Sequence, residues 1–200
     1  MIKSIYKNPN EILDSKVRSF YQTLERWEAV QQRFEDDLSK VNIKPIEEQC
    51  PLSIKKEDFL IWLNDQTFNN KTQLFVHCTA TDQTATVSAI LNYWRNELNW
   101  QNPGYHIIIK PNGEYSILAD LNRTVNGARG HNHNSIHISY IGGIDENRRP
   151  IDNRTKKQQD MLLFMIYSIN NKRKLTVRGH NEVANKACPS FNVKTDLLRK

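Results

Sequence analysis

Cysteine is scarce in this chain. Three residues in 200, Cys50, Cys78 and Cys188, lie scattered along its length. That is too few and too dispersed for a disulfide framework, so a reducing compartment is expected, in which thiols stay free to bind metal as thiolates. Long apolar runs are missing too. None approaches the roughly 20 residues that a membrane-spanning helix needs, which excludes a helical membrane protein. The stretch from Met1 to Asn8 has no apolar centre of the secretory-signal kind. Synthesis in the cytoplasm without a signal peptide is therefore expected. There is no internal repeat and no low-complexity tract, which argues against solenoids and disordered linkers. No helix-turn-helix, aromatic–basic or zinc-finger pattern occurs, so no nucleic-acid partner is expected.

What remains suits one domain, or one domain with an extension, long enough to bury a real core. The net charge is +6 and unevenly spread. Residues 1–70 carry 10 Lys and Arg against 12 Asp and Glu, a net of −2; residues 71–200 carry 18 against 10, a net of +8. The second part therefore favours an anionic partner.

The two parts also differ in pattern. Residues 10–41 read as one long helix, with Asn10 as N-cap and no Gly or Pro inside. Leu13, Val17, Phe20, Leu24, Trp27, Gln31, Phe34, Leu38 and Val41 alternate spacings of four and three, a heptad seam. At 1.5 Å per residue such a helix is about 45 Å long and overhangs a small domain. Self-association or docking to a protein partner is the expectation that follows. Lys44-Pro45 breaks the pattern, a short helix over residues 55–63 follows Ser53 as cap, and residues 65–71 read as a polar linker. The boundary is placed near residue 70, between an α-helical extension (1–70) and a second domain (71–200).

From Thr72 onward strands alternate with helices. Strands are expected over 73–77, 105–110, 114–118, 135–141 and 175–178, and helices over 84–98 and 155–170. Pro111-Asn112-Gly113 turns a hairpin between the second and third strands. The fold class is α/β, a mixed central sheet flanked by helices, with an N-terminal helical extension.

The chemistry concentrates near the C-terminus. Val177-Arg178-Gly179-His180 ends a strand, and Lys186-Ala187-Cys188-Pro189-Ser190 follows. A second imidazole, His77, ends the apolar run Leu74-Phe75-Val76. Two histidines and one cysteine make a three-ligand zinc set with the fourth tetrahedral position left for water, the composition of a catalytic site. Cys78 alternates to the opposite strand face and reads as a small buried residue.

Four motifs occur in order: His77-Cys78-Thr79-Ala80-Thr81; Gly104-Tyr105-His106; Gly130-His131-Asn132-His133-Asn134-Ser135-Ile136; and His180 with Lys186-Ala187-Cys188-Pro189-Ser190-Phe191. Together they resemble the zinc-dependent N-acetylmuramoyl-L-alanine amidases of the phage lysozyme type, in the superfamily of the peptidoglycan recognition proteins. The resemblance covers about residues 72–193 and leaves the first 70 outside.

The resemblance implies one zinc ion on His77, His180 and Cys188, with Tyr105 and Lys186 as the other catalytic groups. Tyr105 would orient water, relay its proton or bond the oxyanion, and Lys186 would stabilise developing negative charge. It also implies a substrate wall at Asn132, His133 and Asn134, with His133 as reserve ligand. Thr79 and Thr81 would orient the first ligand. Glu182 does not match the acidic base of some relatives. His106 reads as packed, and His137 replaces the small residue usual at its strand position. The implied activity is cleavage of the amide between N-acetylmuramic acid and L-alanine in peptidoglycan by zinc-activated water. The implied context is a phage or prophage endolysin, or a secreted antibacterial effector, reaching the periplasmic cell wall by holin-type release or specialised secretion. The rival reading is a peptidoglycan-binding or regulatory protein whose N-terminal helix binds a partner.

Overall fold

The structure is a computed structural model and describes residue 26 and residues 52–197. The helix expected over residues 10–41 lies outside the described residues. The chain divides between Asn64 and Asp65, a few residues upstream of the boundary expected from composition.

Helix α1 spans Leu52–Asp65, so Ser53 falls within its first turn rather than capping it. Phe59, Leu60 and Leu63 on α1 are buried. Phe68 and Lys71, in the stretch expected to be a linker, are buried as well. The Lys71 ammonium donates to the carbonyls of Arg123 (2.8 Å) and His133 (3.1 Å), which compensates its burial.

Beyond α1 come β1 (Gln73–Cys78), α2 (Val87–Asn96), β2 (Ile107–Ile109), β3 (Tyr115–Ile117), β4 (Ser135–Tyr140), α3 (Lys156–Lys172), β5 (Thr176–Gly179) and α4 (Val193–Asp196). The strands form one sheet in the order β3-β2-β4-β1-β5. Among the described strands of the sheet only the β2–β3 hairpin is antiparallel; β1, β2, β4 and β5 run parallel. Burial on both faces explains the uninterrupted apolar runs Leu74-Phe75-Val76 in β1 and Ile107-Ile108-Ile109 in β2, whereas β4 is buried throughout yet alternates Ser135, His137 and Ser139 with Ile136, Ile138 and Tyr140.

Helix α2 starts later than expected because Thr86 caps it, its side chain accepting from the Ala89 N–H at 3.1 Å. Ile90 and Trp94, one turn apart, pack with Ile108 and Ile141. Helix α3 buries Met161, Leu162, Phe164, Met165, Ile166 and Ile169. Its capping box pairs Thr155 with Gln158. The Gln158 amide also donates to the carbonyls of Ile109 (3.2 Å) and Ile141 (2.9 Å), tying the helix start to the ends of two strands.

Strand register sets the position of the site. Val76 stands opposite Gly179, so His180 leaves β5 level with His77 on β1. Among the described residues no helix is long and apolar enough to cross a membrane.

Candidate metal centre

His77 is fully buried near the end of β1. His180 opens a 3-10 turn directly after β5. Cys188 lies on the loop that follows. The ligand atoms of these three residues all fall within 4.8 Å of one another. Nδ1 of His77 is 3.5 Å from the Cys188 sulfur, and the two imidazole centroids are 4.7 Å apart. Two imidazoles and one thiol at this separation are compatible with a metal ion.

The loop carrying Cys188 is fastened at several points. The Cys78 N–H donates to the Cys188 sulfur at 3.3 Å. The Asn181 N–H donates to the Cys188 carbonyl at 2.7 Å. The Tyr140 phenol donates to the Pro189 carbonyl at 2.7 Å, and the Ser190 hydroxyl to the Gly143 carbonyl at 2.8 Å. Glu182 accepts from the Gly179 N–H at 2.8 Å and pairs with Lys194 at 2.7 Å. Its carboxylate is thus occupied with holding the turn that presents His180.

The electrostatics keep the imidazoles neutral, as ligands must be. Burial, then the repulsion that protonated His137 or His180 would exert and the charge of Lys186, holds His77 well below the ordinary histidine value. Burial and Lys186 push His180 down to about 4. The hydrogen bond to Cys78 and burial hold the Cys188 thiol well above its usual range.

Tyr105 packs its ring 5.0 Å from His77 and edge-on to Trp94 at 5.3 Å. Its hydroxyl donates to the Cys78 carbonyl at 3.2 Å. Burial, followed by the repulsion that the thiolate forms of Cys188 and Cys78 would exert, raises it well above 10, so the phenol stays protonated. Lys186 is exposed, two residues before Cys188.

The other expected site residues sit elsewhere. Asn132, His133 and Asn134 form a short 3-10 turn at the start of β4. Ser135 pairs with Gln73, whereas His77 pairs with Ser139. At roughly 3.3 Å per residue Ser135, the residue after the turn, is about 13 Å from His77 along the sheet. Asn132 accepts from the Ala128 N–H at 2.7 Å, and Asn134 accepts from the Ser135 hydroxyl at 3.2 Å. Both amides thus hold the loop itself, and His133 is not one of the three clustered donors. Thr79 and Thr81 do not reach His77. Their hydroxyls lie 2.7 Å apart, and Thr79 accepts from the Gly142 N–H at 3.1 Å. The neighbour that does reach His77 is His137, whose Nδ1 stands 2.9 Å from His77 Nε2. The signal for it was a titratable residue between Ile136 and Ile138 in a buried strand.

The sheet, its flanking helices and the three converging donors make an α/β domain with a site that could hold a metal ion. A sequence profile of the N-acetylmuramoyl-L-alanine amidases matches residues 68–191, and the chain belongs to that family. It is an enzyme that cleaves the N-acetylmuramoyl–L-alanine amide. The endolysin of Escherichia phage T7 is 38% identical over 123 residues, 60% of this chain and 82% of the relative. The endolysin of Enterobacteria phage T3 is 37% identical over the same shares. Among solved structures, the N-acetylmuramoyl-L-alanine amidase endolysin LysCS from Clostridium intestinale superimposes with a TM-score of 0.55 at 23% identity, covering 66% of this chain and 86% of that one. The peptidoglycan recognition protein PGRP-SA of Apis mellifera gives 0.56 at 20% identity, covering 66% and 84%. These structural likenesses concern the fold.

Proposed function

We propose that this amidase is a zinc enzyme acting as a phage-type endolysin on the bacterial cell wall, with His77, His180 and Cys188 as its metal ligands. The observation that carries the reading is the convergence of the three ligand atoms within 4.8 Å. On a tetrahedral zinc, an imidazole nitrogen at 2.0–2.1 Å and a thiolate at 2.3 Å lie roughly 3.5 Å apart. The His77 Nδ1 to Cys188 Sγ distance is 3.5 Å, so the donor pair fits the ion. The likeness to the endolysins of phages T7 and T3 supports the biological setting.

When bound, zinc supplies a Lewis acid and brings the pKa of water toward about 7. The chain's own groups do the rest. Tyr105 keeps its proton across the working pH range and, on turning from the Cys78 carbonyl, serves as a hydrogen-bond donor that orients water or meets the oxygen on which negative charge develops. The Lys186 ammonium adds positive potential at the same place. Neutral His77 and His180 leave their lone pairs free. Asn132, His133 and Asn134 remain the proposed contacts for a remote part of the glycan or peptide, set off from the reacting bond. The segment 10–41 is proposed as a docking or self-association element, and release to the periplasmic cell wall as the route to substrate.

The test is purified protein on isolated sacculi. Zinc-loaded protein releases peptides with free L-alanine amino termini, and Cys188→Ser, folded but without bound zinc, releases none. Full activity in that variant refutes the ligand assignment. Light scattering on the full chain reads self-association; a monomer removes that role from residues 10–41.

A further inference from the structure

His137 sits in β4 with no exposure. Phase along the paired strands puts it on the same sheet face as His77, one diagonal step away, because Phe75 opposes His137 and Ser139 opposes His77. Its Nδ1 is 2.9 Å from His77 Nε2, while His77 Nδ1 turns to the Cys188 sulfur at 3.5 Å. The His137 ring is sandwiched between Phe75 (centroids 5.5 Å, planes 10° apart) and His106 (5.9 Å, 5°). Gly127 leaves room for it: a Cβ there would come within 2.3 Å of His137 Nδ1.

Hydrogen bonds decide where the protons lie. The His137 backbone N–H donates to His106 Nδ1 at 3.0 Å, so that nitrogen is the unprotonated one. His106 Nε2 then carries the proton and donates to the Arg123 carbonyl at 3.1 Å. A ligand nitrogen carries no proton. If His77 binds through the Nδ1 that faces Cys188, its proton sits on Nε2 and needs an acceptor. The atom in reach is His137 Nδ1.

We propose that His137 is a positioning residue for the metal ligand His77, its Nδ1 accepting the His77 Nε2–H and so fixing the ring orientation and the tautomer that turns Nδ1 toward Cys188 and His180. The inference rests on the metal-site reading above. His137 Nε2 then bears its own proton and finds no partner among the described residues. A buried donor left open in a native core calls for an explanation, and the job of the opposite nitrogen supplies it. A purely space-filling role would be met by Leu or Phe between Ile136 and Ile138. Metal-binding histidines gain fixed orientation and basicity from an acceptor on the second nitrogen. Here a neutral imidazole provides it in place of a carboxylate or carbonyl.

Two measurements on the full chain test this. The first is nitrogen-15 NMR of the histidine rings in zinc-loaded wild-type protein. The expected result is metal on Nδ1 of His77 and a proton on Nε2 of His77, His106 and His137. A proton on Nδ1 of His137 overturns the proposal. The second is chelator competition for zinc, with cobalt(II) spectra alongside. His137→Leu fills the space without an acceptor and is expected to bind zinc about 10–100-fold more weakly. It shifts the cobalt ligand-field bands but keeps the thiolate charge-transfer band. His137→Asn offers a carbonyl oxygen and recovers part of the loss. Wild-type affinity and spectra in His137→Leu overturn the proposal. If neither variant folds, the wild-type tautomers decide alone. Failure of the metal site itself looks different: wild-type protein takes up no zinc, or Cys188→Ser holds it as tightly.

Discussion

The Tyr140 phenol donates to the Pro189 carbonyl at 2.7 Å across 49 residues of chain. Tyr140 ends β4 and is fully buried. Pro189 adjoins Cys188, so this bond anchors the ligand loop to the sheet. Tyr140→Phe leaves the carbonyl without its donor. Urea denaturation of the metal-free protein is expected to show a loss of about 1–3 kcal/mol, and chelator competition a weaker hold on zinc. An unchanged urea midpoint would show that the loop is fixed by its other bonds.

Gly127→Ala probes His137 from outside its own strand. The new Cβ would meet three atoms of the imidazole between 2.3 and 2.8 Å. The ring must move, at a cost of about 1–3 kcal/mol for overpacking. Zinc affinity should fall with it, although Gly127 is not among the clustered donors. Retained affinity alongside retained stability would mean that the ring has space to give.

Tyr105→Phe removes a donor and leaves the ring packing on Trp94 and His77 in place. Loss of one donor to a developing oxyanion lowers kcat by about 10²–10³. Zinc content is expected to stay stoichiometric. Because the phenol is held well above 10, the alkaline limb of the wild-type pH–rate profile owes nothing to Tyr105 between pH 6 and 9. A titration in that range that vanishes in the variant would make the tyrosine a base instead.

Stability should depend on pH through the histidine cluster. Burial pushes His106 and His180 down to about 4, and holds His77 and His137 well below 6.5. Between the folded values and the unfolded value near 6.5, the unfolded chain binds more protons. The metal-free protein is therefore at full stability, in this respect, above about pH 6.5. It weakens as pH falls toward 4, by roughly 1.4 kcal/mol per pH unit for each histidine. Urea midpoints from pH 8 to 4 measure it, and His180→Gln flattens the slope by one histidine's share. A flat response from pH 6.5 to 4.5 would sink the argument.

Much of this was readable in advance, for reasons particular residues make plain. Parallel strands buried on both faces give apolar runs such as Leu74-Phe75-Val76 and Ile107-Ile108-Ile109, and five strands were located to within a few residues. His77 and His180 stood out because they lie at strand ends, and Cys188 because it sits in a loop a few residues beyond His180. Element ends were harder to read. Helix α2 begins at Val87 rather than Thr84 because Thr84 bonds to Asp82, with its N–H on Asp82 Oδ1 at 2.8 Å, leaving Thr86 as the cap. The neighbours of the three clustered donors were hardest. Thr79 and Thr81, adjacent to His77 in sequence, bond elsewhere, while His137, 60 residues away, reaches it through the β1–β4 register. Pairing between distant strands leaves no mark in local spacing.

The step from Val76–Gly179 pairing to a turn and then a tethered loop has one more result. A cation held by His77 and Cys188 would bridge 111 residues of chain, and so would act as a clasp on the C-terminal end as well as an electrophile. Stripping it would loosen the Asn181 N–H to Cys188 carbonyl link early, which hydrogen exchange at Asn181 can follow. Copies that have lost the ion would then also be those with the most frayed tails, and proteolysis would remove inactive enzyme ahead of working enzyme.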